Sequence, residues 1–179
     1  MSAEPRILDL GAGRDRSRRG AVTVDRVASA GPDVVHDLDV VPWPFDRDSF
    51  DVIICKDVIE HVADVVKTME EIHRVGRAGA RVEIATPHYS CRNSWTDPTH
   101  RQHLGYFSFD YFTSAIQWDY YTAARFKLID RRLRCRDTLK GRVVEQIANR
   151  WPAFYEEHLA WIVPAFFLWV VLEVSKDPA

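Results

Sequence analysis

Residues 6–26 read "RILDLGAGRDRSRRGAVTVDR": an apolar run, two glycines one residue apart, a short charged stretch, and a second apolar run ending in Asp25. Two glycines after a hydrophobic strand let the backbone turn tightly and bring main-chain N–H groups close to a ligand with no Cβ in the way. A dinucleotide fingerprint would also require glycine where Arg16 stands. An oxidoreductase reading is therefore disfavoured, and the turn alone does not name its ligand.

Working outward, β-branched apolar runs recur at "DVVHDL", "FDVIICKD", "ARVEIATP" and "FKLIDRRLRC", with helix-like segments in the later gaps. This is an α/β rhythm. The runs "VIIC" and "VEIA" are apolar on both faces, as in central strands of a parallel sheet covered by helices on both sides. Between Asp57 and Gly76, Val58, Val62, Val65, Val66, Met69, Ile72 and Val75 fall at helical spacing. The links between the first three strands are near the minimum for parallel crossovers, so the first helices are reduced.

Asp25 ends the second run and Asp37, in "VVHDL", ends the third. A lone acid at a strand end serves as well to cap a turn. Acids ending successive parallel strands line the edge where open α/β folds bind ligands.

These motifs, in this order from Ile7 to Pro87, resemble the class I S-adenosylmethionine-dependent methyltransferases. "LDLGAG" is similar to the family's first motif, "VTVD" to its ribose-binding acid, "HDLD" to its adenine-side acid, and "FDVIICKDVIEHV" to its fourth-strand motif. "EEIHRVGRAGARVEIATP" resembles the segment running from a helix into the fifth strand, with Arg77 and Ala78 near the usual Lys-Pro. The resemblance implies a three-layer Rossmann-like fold with S-adenosyl-L-methionine as cofactor. It places Asp9, Gly11, Ala12 and Gly13 beside the methionine half, Asp25 with Arg26 at the ribose, and Asp37 with Leu38 at the adenine. Lys56, Asp57, Val58 and His61 close the pocket. Asp15 replaces the third glycine of the family's pattern and the first helix is nearly deleted, which implies a more open pocket.

The later segments are similar to compact methyltransferases associated with polysaccharide and natural-product gene clusters. One domain spans 1–179, with a lid or substrate loop over 87–118 and a helical segment over 141–176. That loop is rich in histidine, aromatics and turn formers. The tail from Leu159 to Leu172 is apolar but shorter than the ~20 residues a bilayer crossing needs. It is predicted as an apolar C-terminal helix, packed on the sheet or on a twin subunit in a homodimer.

Methyl transfer from a sulfonium requires a positioned acceptor and, for a hydroxyl or ammonium, removal of a proton. Histidine suits that task. His88, directly after the fifth strand, is the first candidate base, with His100 and His61 next. His88, Asp97, His100 and His103 also have suitable chemistry for a metal ion, but their spacing is not diagnostic, and no metal is assigned.

A net charge of −2 and 28% charged residues argue against a general nucleic-acid binder, although arginines cluster at 14–19 and 131–136. Three scattered cysteines and an N-terminus without a secretory pattern point to a cytoplasmic protein with no membrane span. The reading is an enzyme that methylates oxygen or nitrogen of a small molecule, a sugar or secondary metabolite. Two alternatives are a non-catalytic scaffold dimerising through its C-terminal helix and an RNA methyltransferase.

Overall fold

The apolar runs assemble into one seven-stranded sheet in a computed structural model that describes residues 4–14, 17–113 and 121–176. The strands are β1 (Ile7–Leu10), β2 (Val22–Asp25), β3 (Val34–Val35), β4 (Phe50–Lys56), β5 (Gly76–Pro87), β6 (Arg125–Arg134) and β7 (Phe167–Ser175). Their spatial order is β3-β2-β1-β4-β5-β7-β6. Strands β1 to β5 pair in parallel, while β7 runs antiparallel to both neighbours. Ile53, Ile54 and Cys55, consecutive on β4, are all fully buried. A strand apolar on successive residues is covered on both faces, as the sequence predicts for the centre of a parallel sheet.

The first crossovers have only residues 11–21 and 26–33 to work with, and among the described residues neither contains an α-helix. A single 3-10 turn at Ala28–Ala30 serves the second. Asp15 and Arg16, where the glycine pattern breaks, lie outside the described residues. The order of the strands still puts the carboxyl ends of β1, β2 and β4 side by side, which is where a ligand crevice forms in such sheets.

Helix α1 (Val65–Val75) is shorter than the spacing from Asp57 predicts. Asp64 is its N-cap, accepting the Lys67 N–H at 3.0 Å. Residues 57–64 instead form a turn, and Val58 and Val62 kept the helical pattern because the turn buries them too. The buried Glu71 on α1 accepts the Trp43 N–H at 2.6 Å and pairs with Arg74, whose guanidinium also donates to the Phe45 and Trp43 carbonyls. This clamp fastens the 43–45 loop to the helix.

The helix predicted over 141–176 is corrected. Helix α3 spans Leu139–Arg150, and after α4 (Pro152–Phe154) a π turn ends at Leu159. Past Pro164 the chain becomes β7, seated between β5 and β6. Leu168, Val170, Val171, Leu172 and Val174 are at most 2% exposed, so both faces are covered. A segment apolar all round fits a buried helix or a buried strand equally by periodicity, and its β-branched, aromatic composition decides for the strand. Because both edges of β7 are paired, it is not available as a dimerisation helix.

The 87–118 segment, read as a lid or substrate loop, is partly ordered by α2 (Arg92–Thr96) and a 3-10 turn at Ser108–Phe112. The end of that loop, at 114–118, lies outside the described residues. Residues 97–104 are fastened to the 57–64 turn. The N–H groups of Arg101 and Gln102 donate to the Glu60 carbonyl at 2.8 and 3.0 Å, and the Gln102 amide reaches the Val62 carbonyl at 3.1 Å.

Candidate active site

The site begins at Gly11, the first residue past β1. Its φ is +59°, and a Cβ added there would lie 2.4 Å from Cγ2 of Val58. Only glycine fits that bend. Its N–H donates to the Val24 carbonyl at 2.8 Å, which holds the bend against β2. Two residues on, the Gly13 N–H donates to Asp25 Oδ2 at 3.0 Å, and the Val27 N–H donates to Oδ1 at 2.8 Å. Each carboxylate oxygen therefore accepts one main-chain bond and keeps lone-pair capacity for a ligand hydroxyl.

Strand register arranges the acids as a staircase. Asp9 is level with Thr23, two residues below Asp25, and Asp25 is level with Val35, two residues below Asp37. Asp9 is 1% exposed and accepts the Ser17 N–H at 2.7 Å, so it anchors the chain after the turn from beneath. Asp25 and Asp37 reach the rim.

Gly11, Asp25, Arg26, Asp37, Leu38, Asp57, Val58 and His61 line one crevice of about 260 Å³. That is a little under the ~300–1,000 Å³ of enclosed small-molecule sites, as suits an open trough. Of the other residues the resemblance implied, Asp9, Ala12 and Gly13 do not line it, Asp9 being buried and Gly13 exposed. Lys56 turns elsewhere, its ammonium 5.1 Å from the centre of the Trp169 ring. Val27, His36, Asp39, Val62 and Thr99 also line the crevice and were not read from the sequence. Asp39 accepts the Ala63 N–H at 2.8 Å and faces Arg101 at 3.3 Å, tying the β3 side to the β4 side. His36 and Asp39 stand in "HDLD" and Val62 ends "FDVIICKDVIEHV", so these had a local signal; Thr99 arrives from a distant loop.

A second, wider crevice lies across the 57–64 turn, lined by Glu60, Pro87, Asp97, His100 and Phe167, and it shares Asp57 and His61 with the first. Asp57 holds φ +54° at this shared wall. A non-glycine residue there costs ~1–3 kcal/mol, a strain that persists only where the surroundings fix it. The His61 and His100 rings meet edge to face with centroids 4.6 Å apart. His61 Nδ1 lies 3.0 Å from Thr99 Oγ1 and 3.3 Å from the Thr99 carbonyl, and His100 Nδ1 lies 3.2 Å from the Ser94 carbonyl.

His88, the first candidate base, opens onto neither crevice. It is fully buried, with Nε2 at 2.9 Å from Glu156 Oε1 and Nδ1 at 2.8 Å from Ser90 Oγ. The rings of Tyr89 and Tyr155 pack against it. With both nitrogens occupied and no route to the rim, His88 is a core histidine rather than a base. Nor do the four residues of the metal-like set come together. His103 stacks on Trp95 at 3.7 Å and bonds Ser94 Oγ, leaving only Asp97 near His100, at 3.8 Å.

The methyltransferase domain family matches residues 8–84, the span that carries β1 to β5 and the crevice rim. The matched span, less than half of the chain, is similar to methyltransferase domains, and S-adenosylmethionine is the cofactor that this similarity implies. No curated protein matches it in sequence. Several solved structures share the fold at low identity. An S-adenosylmethionine-dependent methyltransferase from Mesorhizobium loti is 18% identical with a TM-score of 0.56, covering 94% of this chain and 90% of that one. One from Archaeoglobus fulgidus is 15% identical with a TM-score of 0.59, covering 94% and 86%. A Haloferax volcanii complex between the Trm112 methyltransferase activator and a methyltransferase matches at 18% identity and a TM-score of 0.60, covering 96% and 83%.

The residues present fit that cofactor. The bare bend at Gly11 leaves the rim open where any Cβ would fill it, Asp25 offers free lone pairs at the height of a ribose, and Leu38, Val58 and Val62 give an apolar wall for a flat base.

Proposed function

We propose that the chain methylates oxygen or nitrogen of a small-molecule acceptor, a sugar or secondary metabolite, that enters by the second crevice. The observation that carries this reading is the shared wall: Asp57 and His61 line both troughs, so a cofactor in one and an acceptor in the other meet across a single turn. Bound S-adenosylmethionine supplies a methyl group on an electrophilic sulfonium. The chain's own residues do the rest. Asp25 and Asp37 orient the nucleoside, the Gly11 bend admits it, and the 97–104 segment, bonded to the Glu60 carbonyl, closes the acceptor side. The proton of a hydroxyl or ammonium acceptor leaves toward His61 and His100, the two imidazoles exposed to the acceptor crevice.

Other features support the setting. Four of the five arginines between 131 and 142 face an acid: Arg131 pairs with Asp110, Arg132 with Asp130, Arg134 with Glu145 and Arg142 with Asp137. A matched surface of this kind favours a small acceptor over RNA. Cys55, Cys91 and Cys135 are all unpaired, which suits a reducing cytoplasm. Among the described residues no helix is long and apolar enough to cross a membrane.

Calorimetry with S-adenosylhomocysteine tests the first half of the reading. Binding to the wild type, weakened in Asp25→Ala, is expected; equal binding by both proteins refutes the assignment of the crevice. Screening hydroxyl- and amine-bearing sugars and aromatic metabolites for methylated product by mass spectrometry tests the second half.

A further inference from the structure

Glu60 is 2% exposed, and its Oε1 has no hydrogen-bond partner among the described residues. Thr86 Oγ1 donates to its other oxygen at 3.0 Å. A buried carboxylate oxygen left unmatched costs several kcal/mol unless a proton or a cation satisfies it. The ligand-capable atoms of Glu60, His61 and His100 all lie within 4.8 Å of one another.

The two imidazoles are already oriented. A carbonyl oxygen accepts and never donates, so the contacts from His61 Nδ1 to the Thr99 carbonyl and from His100 Nδ1 to the Ser94 carbonyl put the proton on Nδ1 in each ring. That leaves the lone pair of each ring on Nε2, which in His100 stands 3.8 Å from Asp97 Oδ2. Metal-ligating histidines are fixed in this way, the far nitrogen held by a carbonyl or carboxylate.

We propose that Glu60, His61 and His100 form a binding site for one divalent first-row metal ion of the zinc class, at the wall between the two crevices. Two imidazoles and one carboxylate are a set that holds zinc with a coordination position left open. The open position faces the acceptor crevice, which Glu60, His61 and His100 line together with Asp57. An ion there would take an oxygen donor of the acceptor, a hydroxyl or carboxylate, and lower its pKa. His61 and His100 would then act as ligands, and the ion would take over the role of assisting proton loss.

The test uses the metal alone, with no cofactor or acceptor, so its outcome is separable from the proposed methyl transfer. Full-length protein stripped with a chelator is titrated with Co2+, read by its visible ligand-field absorption, and the Co2+ is then displaced with Zn2+. One equivalent per chain is expected, weakened at least tenfold in Glu60→Gln and in His100→Ala, and unchanged in His158→Ala, whose ring is surface exposed. Circular dichroism confirms that each variant is folded. Should Glu60→Gln unfold, His61→Asn, on a partly exposed ring, gives the same reading. Absence of stoichiometric binding, or binding indifferent to Glu60, His61 and His100, overturns the proposal.

Discussion

Residues 8–84 and residues 88–175 build their parts of the site by opposite means. In the first region every crevice residue stands at, or within a few residues of, the carboxyl end of a parallel strand: Gly11 after β1, Asp25 ending β2, Asp37 after β3, Asp57 after β4. Sheet topology alone gathers them. In the second region Thr99, Asp97 and His100 come from a loop held in place by hydrogen bonds to the Glu60 carbonyl and to backbone around Val62, so their position depends on contacts remote in sequence. Cofactor recognition thus rests on the sheet itself, while the acceptor side rests on a fastened loop. On this division changes in the first region alter cofactor affinity, and changes in the second spare it except at Thr99, which lines the cofactor crevice.

The largest effect is expected at Gly11. Gly11→Val combines a left-handed φ, which costs a β-branched residue ~1–2 kcal/mol or more, with a clash against Val58 of the overpacking kind, ~1–3 kcal/mol. Thermal denaturation and S-adenosylhomocysteine calorimetry should both register the loss. Adding Val58→Ala should recover part of the stability but not the binding, because the strained φ remains. Full recovery of binding would show that the bend itself is not required.

Next comes the clamp on α1. Burial pushes the Glu71 pKa up, but its bonds to Arg74 and to the Trp43 N–H outweigh that and hold it below its ordinary value. A carboxyl with a lowered folded pKa contributes stability above the unfolded-state pKa, near 4.5, and loses it as pH falls through the lower folded value. Glu71→Gln should therefore cost ~1–3 kcal/mol at neutral pH, and its stability should fall less steeply than the wild type's below pH 4.5. Parallel curves in acid titrations followed by circular dichroism would remove Glu71 from that role.

A smaller and more local effect is expected at the rim. Asp25→Ala should weaken S-adenosylhomocysteine about 10- to 100-fold, the ~1.4–2.7 kcal/mol of one or two hydrogen bonds to a charged group. It also strands the Gly13 and Val27 N–H groups, but these are exposed enough for water to replace the carboxylate, so stability should change by under ~1 kcal/mol.

The same division explains what could be read from the chain. The parallel sheet, the trimmed crossovers and the rim residues Gly11, Asp25, Asp37, Asp57 and Val58 were legible because strand periodicity and turn chemistry are local and topology then fixes their place. Asp9 was placed at the methionine half, whereas the register puts it a step below the rim. The tail was misread as a helix because a stretch apolar on all sides carries no period, and only pairing with β5 and β6 reveals a strand. Nothing in "DVIEHV" says that Thr86 and the 97–104 loop will close over Glu60.

His88 separates the two regions most sharply. Its place just past β5 made it the nearest histidine to the rim by sequence, yet Glu156 and Ser90 hold both ring nitrogens inside the core. His88→Asn retains a side chain able to bond Glu156, at a stability cost of ~1–3 kcal/mol for imperfect replacement of buried hydrogen bonds. Cofactor affinity, measured well below the variant's melting temperature, should stay within about twofold of the wild type. His100→Ala should likewise spare the cofactor, because His100 lines only the acceptor crevice, but it should lower turnover once an acceptor is known. A His88→Asn protein that is folded and binds cofactor yet has lost turnover, beside a fully active His100→Ala, would reverse the assignment and move the chemistry from the fastened loop back to the strand end.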